Sequence, residues 1–269
     1  MAEFSVRRDG VTLSGDEAGE GVPVVLLHGL TATRRYVVMG SKALERGGHR
    51  VVAYDARGHG RSSPAPEYTY DALAGDLLGV LDDRGIERAV LAGASMGAHT
   101  LVRFALDHGD RAAGLVIVTP AYTPEGHTDS VERWDALAEG LRSGGVDGFV
   151  EAYGEPAVPE AWRETVIRVL HQRLAGHEHP EAVADALRAV PRSAAFAGWD
   201  ELRELALPTV VVPSRDDADP GHPYAVGERY AETIPGAELV SEQPGESPLA
   251  WQGSQLSRVI ADLAARVSA

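Results

Sequence analysis

The chain contains no cysteine, which excludes disulfides, thiolate metal sites and cysteine nucleophiles. Lysine is almost absent as well: Lys42 is the only one, and arginine carries nearly all the positive charge. Against 25 Lys and Arg stand 40 Asp and Glu, a net charge of −15. Such an acidic surface disfavours nucleic acid and anionic membranes as partners, but it says little about a small-molecule substrate, because a pocket can differ in charge from the outside. No uninterrupted apolar run approaches the ~20 residues of a membrane span. Met1–Gly21 lacks a basic region followed by an apolar run, so no signal peptide is expected and the expected location is the cytoplasm. His177 and His179 lie close together, but no matching set of ligands accompanies them, so no metal and no cofactor are expected.

Hydrophobic residues make up 44% of the 269, enough for one large α/β domain or two modest ones. Short, continuous apolar runs at Pro23–Leu27, Arg50–Tyr54, Ala89–Ala92, Leu115–Val118 and Pro208–Val212 have the pattern of strands buried on both faces. An N-terminal hairpin is expected over Phe4–Leu13, with turns at Asp9–Gly10 and Ser14–Gly15. Helix-compatible sequence runs from the first buried strand to Gly47–Gly48. Further helices are expected over Thr69–Arg84, Tyr224–Thr233 and Leu256–Val267, with a last strand at Ala237–Val240. Strands alternating with helices predict a mostly parallel sheet flanked by helices. Residues 121–197 break this rhythm with four helical patterns, around Val131–Leu141, Val146–Tyr153, Glu160–Leu174 and Pro180–Val190. They are expected to form a helical cap over a core made of residues 1–120 and 198–269, above the sheet edge where open α/β sheets bind ligands.

The chemistry concentrates at Val90–His99. An apolar strand meets Gly93, Ser95 and Gly97 in a Gly-x-Ser-x-Gly pattern and continues as a helix, the strand–turn–helix context of a nucleophile elbow. The turn lifts a serine hydroxyl clear of the sheet. Small residues two before and two after it let strand and helix approach closely. Taken with His28–Gly29 after the first core strand and with Asp55-x-Arg57–Gly58–His59–Gly60–Arg61–Ser62, the chain resembles the capped α/β-hydrolase fold, in its esterase/haloperoxidase-like branch, over nearly its whole length.

That resemblance implies Ser95 as nucleophile and an oxyanion hole made by the backbone N–H groups of Met96 and Leu30. It gives His28 and His59 bracing roles, while His99, four residues after Ser95 on the elbow helix, is expected to pack behind the nucleophile. It also implies an acid after the strand ending at Val212, where Asp217 and Asp219 both qualify, and a histidine after the strand ending at Val240. There the pattern breaks. Gln243–Pro248 places Glu246 where the general base belongs, and no histidine follows His222.

A serine hydroxyl is a poor nucleophile without a positioned base. His222 lies in the acid loop and is a candidate replacement. Glu246 is another, if burial raises its pKa. The cap histidines His127, His171, His177 and His179 read as surface residues. The expected function is a serine-dependent hydrolase of a small ester, lactone or related acyl substrate with a relocated base. The alternative is a degenerate member acting as a cofactor-independent lyase or isomerase, or as a ligand-binding protein. Cap-region aromatics such as Trp134, Phe149, Tyr153 and Trp162 hint at an apolar or aromatic ligand.

Overall fold

A computed structural model of the chain describes residues 2–126, 131–216 and 218–268. Eight strands form one sheet in the order β1-β2-β4-β3-β5-β6-β7-β8. Strands β1 (Ala2–Arg8) and β2 (Val11–Ala18) form the expected hairpin, turning at Asp9 and Gly10, both with positive φ. No turn occurs at Ser14–Gly15. Gly15 lies inside β2 because the Phe4 ring and the Ala53 carbonyl occupy the space that a side chain would need. Strand β2 also pairs antiparallel with β4 (His49–Tyr54). The remaining strands, β3 (Val22–Leu27), β5 (Ala89–Ala94), β6 (Ala112–Val118), β7 (Thr209–Val212) and β8 (Glu238–Leu239), run parallel.

Because successive side chains of a strand face opposite ways, the buried apolar runs divide into two cores. Val25, Leu27, Leu91, Leu115, Ile117 and Val211 face one cluster, beneath α2 (Tyr70–Asp83), α3 (Met96–Asp107) and α8 (Tyr224–Thr233). Val24, Leu26, Val90, Ala92, Val116 and Val210 face the other, under the short α1 (Ala43–Arg46) and the long α9 (Gly253–Ser268). Helix α2 starts where Thr69 accepts the Ala72 N–H at 3.2 Å and buries Leu73, Leu77, Val80 and Leu81. Each such side chain contributes about 1.5–3 kcal/mol. Between β3 and β4 the expected helix shrinks to a single 3-10 turn at Arg34–Tyr36 and to α1. Asp55, rather than a helical register, organises that segment: it accepts the Arg34 N–H at 2.9 Å and pairs with the Arg34 guanidinium.

Between β6 and β7 lie α4 (Val131–Tyr153), α5 (Glu160–Leu174), α6 (Pro180–Ala189) and the single-turn α7 (Trp199–Leu202). Gly145, at φ 61° and ψ −145°, breaks α4 into the two helical stretches the sequence pattern marks. Helices α4, α5 and α6 share their own apolar cluster, which includes Leu137, Leu141, Phe149, Leu174, Val183 and Leu187, whereas Trp199 and Leu202 of α7 join the main core. Of the aromatic residues, Phe149 and Phe196 are packed inside, whereas Trp162 is 53% exposed.

The strand order reverses at β3. The chain passes to β4 on one side, then crosses back to β5 on the other. Loops leaving β3 and β5 therefore diverge at their C-terminal ends and open a crevice there, the usual ligand position in open α/β sheets.

Candidate active site

Ser95 stands at that crevice. Its N–H still bonds the Val118 carbonyl of β6 at 3.0 Å, and its own carbonyl already accepts the His99 N–H of α3 at 3.0 Å. One residue thus ends a strand and starts a helix, which forces φ 52° and ψ −116°. A non-glycine residue in this region is held against a cost of about 1–3 kcal/mol. The neighbours show what allows it. A Cβ on Gly93 would lie 2.5 Å from the Gly97 backbone, and one on Gly97 would collide with the Leu27 carbonyl.

Gly29 of the loop after β3 packs on the serine: a Cβ there would sit 3.3 Å from Ser95 Cβ and 3.9 Å from its Oγ. Met96, as the first residue of α3, has an N–H with no helical acceptor behind it. The N–H of Leu30, next to Gly29, likewise makes no hydrogen bond among the described residues. Two N–H groups without an acceptor thus belong to the residue after Ser95 and to the residue after Gly29.

A buried network supports this side. The Ala56 N–H donates to His28 Nε2 at 2.9 Å, so His28 is neutral and its Nδ1–H donates to the Gly29 carbonyl at 2.8 Å. Burial holds its pKa down at about 3. His99 is locked in the same tautomer. Its Nε2 accepts the Ala121 and Tyr122 N–H groups, both at 3.0 Å, and its Nδ1–H points to the Tyr70 hydroxyl at 3.0 Å. Burial, reinforced by His222, lowers its pKa to about 3. His59 packs between the rings of His28 and His177 with centroid distances of 5.2 and 5.6 Å. His177 is not the surface residue the sequence suggests: it accepts the Gly60 N–H at 2.8 Å and donates to the Thr31 carbonyl at 3.0 Å. Its position between two loops of the sheet edge ties the inserted helices to the site. His171 and His179 stay at the edge of the insert, only partly sheltered, and His127 lies outside the described residues.

The other side is built from the loops after β7 and β8. Asp219 Oδ2 accepts the Nδ1–H of His222 at 2.7 Å, and Nε2 has no partner among the described residues. Asp217 lies outside the described residues. Glu246 is exposed, and its Oε2 accepts the Gln243 N–H at 3.1 Å within a turn.

Sequence inspection passes over Glu242, which joins these loops: its two carboxylate oxygens accept the Arg215 N–H at 2.5 Å and the Leu249 N–H at 3.0 Å. Burial raises its pKa, but those N–H groups outweigh it and hold the carboxyl below its usual range. Trp251 Nε1 donates to Asp216 Oδ2 at 2.8 Å and adds a second tie. No group of three or more His, Asp or Glu among the described residues could hold a metal.

A family model for the alpha/beta hydrolase fold matches residues 22–156, from the start of β3 through the elbow and into the inserted helices. The chain belongs to that family. RutD of Variovorax paradoxus, a protein named for carbamate hydrolysis, is 30% identical over 254 residues, covering 93% of this chain and 94% of its own. Among solved structures, a thermophilic esterase from Thermogutta terrifontis superposes with a TM-score of 0.81 at 26% identity, covering all of both chains. Est816, described as an N-acyl homoserine lactone degrading enzyme, does so with a TM-score of 0.76 at 28% identity, over 97% of this chain and 98% of its own. The α/β-hydrolase core expected from the sequence is therefore present, and this chain is a hydrolase by family.

Proposed function

We propose that this hydrolase cleaves a small ester, lactone or related acyl substrate through Ser95, with His222 as a general base supplied from the acid loop. The observation that carries the reading is the 2.7 Å pair between His222 Nδ1 and Asp219 Oδ2, on the same sheet edge as a strained, exposed-side serine. Strand β6 alone separates β5 from β7, so the two loops leave the sheet about 10 Å apart. A histidine side chain bridges much of that span. His222 also lies close enough to His99, one turn beyond Ser95, to disfavour its protonation.

In this reading the Ser95 hydroxyl attacks the substrate carbonyl while His222 Nε2 takes its proton. The N–H groups of Leu30 and Met96 hold the oxyanion, each worth about 3 kcal/mol of barrier. The C–O bond of the leaving group breaks as the imidazolium returns the proton to it. A water, deprotonated by the same nitrogen, then releases the acyl group from Ser95. Asp219 keeps Nδ1 protonated and stabilises the imidazolium, the role an orienting carboxylate plays in serine hydrolases. Residues 121–197 act as the cap over this site, a reading supported by the bonds of His177 to Thr31 and Gly60.

Proteins similar to this chain are named as a carbamate hydrolase, an esterase and an N-acyl homoserine lactone degrading enzyme, which supports an acyl substrate. The test is intact-mass detection of labelling by a fluorophosphonate probe across pH. Stoichiometric labelling that requires Ser95 and titrates with a histidine-like pKa supports the mechanism. A folded protein that stays unlabelled overturns it.

A further inference from the structure

Arg173 ends α5 and points at the oxyanion side of the site. Its Nη2 donates to the Leu30 carbonyl at 3.1 Å and to Thr31 Oγ1 at 3.3 Å. Its Nε–H is sealed from solvent with no partner, and no carboxylate among the described residues comes within ion-pair distance. This is unusual for the chain. The other sheltered arginines are neutralised: Arg34 by Asp16 and Asp55, Arg57 by Asp76, and Arg50 by Glu17. In a protein with far more acids than bases, leaving a sheltered guanidinium without a counter-ion is costly unless a ligand supplies the charge. Burial lowers the Arg173 pKa, and Asp219 only partly opposes this; for Arg34 and Arg57, ion pairing outweighs burial and raises it.

We infer that Arg173 is a substrate-recognition residue that binds a carboxylate carried by the acyl substrate. The inference rests on the hydrolase reading above and narrows it to anionic esters or lactones. Leu30 sets the geometry. The N–H of this residue is one proposed oxyanion donor, and its carbonyl holds Arg173. The nitrogen and oxygen of one residue lie no more than about 3.6 Å apart, so the guanidinium is within about 7 Å of the oxyanion donor. A carboxylate about two to four bonds from the reacting carbonyl spans that gap. Nη2 is spent on Leu30 and Thr31, so the unpartnered Nε–H and the Nη1 amino group are the donors left for a carboxylate.

The test compares 4-nitrophenyl hydrogen glutarate with its methyl ester, which differs in carrying no charge. Wild type is expected to favour the anion in kcat/KM by about tenfold or more, and Arg173→Met to lose about 10–100-fold on the anion relative to the methyl ester. The ratio is the readout, because loss of the Leu30 contact can lower both rates. Arg173→Lys, which keeps the charge without the guanidinium's several donors, should retain a weakened preference, and it serves where the methionine variant fails to fold. A wild-type ratio of one or below, or a ratio unchanged in both variants, overturns the assignment. If neither ester is turned over, the hydrolase reading fails, and binding decides this one. Glutarate should then raise the Tm of Ser95→Ala but not of Ser95→Ala combined with Arg173→Met. Equal responses would remove the anion site.

Discussion

The two flanks of Ser95 are built differently. On the oxyanion side, the loops after β3 and β4 are fixed by groups with almost no solvent contact: His28, Asp55, His59 and the Arg57–Asp76 pair. On the base side, the loops after β7 and β8 are held by Glu242 and Trp251, while Asp219, His222 and Glu246 remain open to water. The electrophile-holding half resists change because each group there is a buried partner of another. The half that the proposed mechanism gives the proton transfer can exchange its residues without unpacking a core, and it is where the sequence departs from the pattern that its resemblance implies.

The sharpest break of that comparison is Ser95→Ala. It should lower hydrolysis by about 10⁴-fold or more while Tm stays within a few degrees, since alanine keeps the same backbone and packing. Next comes His222→Ala, expected to cost about 10³-fold in kcat/KM and to abolish the histidine-like limb of the pH–rate profile. Asp219→Asn should follow it in direction. Wild-type rates in His222→Ala would assign the base elsewhere.

On the rigid flank the largest expected loss is in stability. The Asp76 carboxylate is fully buried and accepts Arg57 Nε and Nη2 at 2.7 and 2.8 Å. Asp76→Ala strands the guanidinium and should cost about 3–5 kcal/mol, measured by urea unfolding. Acid acts on the same flank by degrees. His28 and His99 have folded pKa values of about 3, against about 6.5 when unfolded. Above about pH 6.5 neither state is protonated and both histidines leave stability unchanged. Below it the unfolded chain takes up protons that the native state refuses. Each of the two then removes about 1.4 kcal/mol per pH unit down to about pH 3. A stability curve flat from pH 7 to 4 would show that these rings are not held neutral.

How far the sequence foretells this architecture follows from the same contrast. The buried strands are legible because both faces of β3, β5 and β6 need apolar side chains, and the elbow because only small residues fit at positions 93 and 97. The segment between β3 and β4 is not, since its shape depends on Asp55 holding Arg34 across a distance of 21 residues. His177 reads as a surface residue because nothing local announces that Gly60 and Thr31 will close over it. Arg173 is likewise silent in the sequence: an arginine at the end of a polar helix ordinarily faces water, and only the fold turns it toward Leu30. The His222–Asp219 pair, three residues apart, is legible as a candidate, and its bond is what the fold adds.

The smallest expected effect carries the most discriminating result. The sequence reading puts Glu246 where the resemblance calls for the base, and the structure shows it exposed, with one oxygen spent on the Gln243 N–H. A general base needs hydrogen-bond reach to the proton it takes, and an oxygen held within its own turn is not free for that. Glu246→Gln preserves the turn through its amide oxygen and removes only the charge. It should leave kcat/KM within about twofold, the usual range for a surface change outside the reacting centre. Were it instead to cost ~100-fold with His222→Ala nearly silent, the turn must close onto Ser95 during turnover. The open flank would then work by rearrangement, with Glu246 as the base.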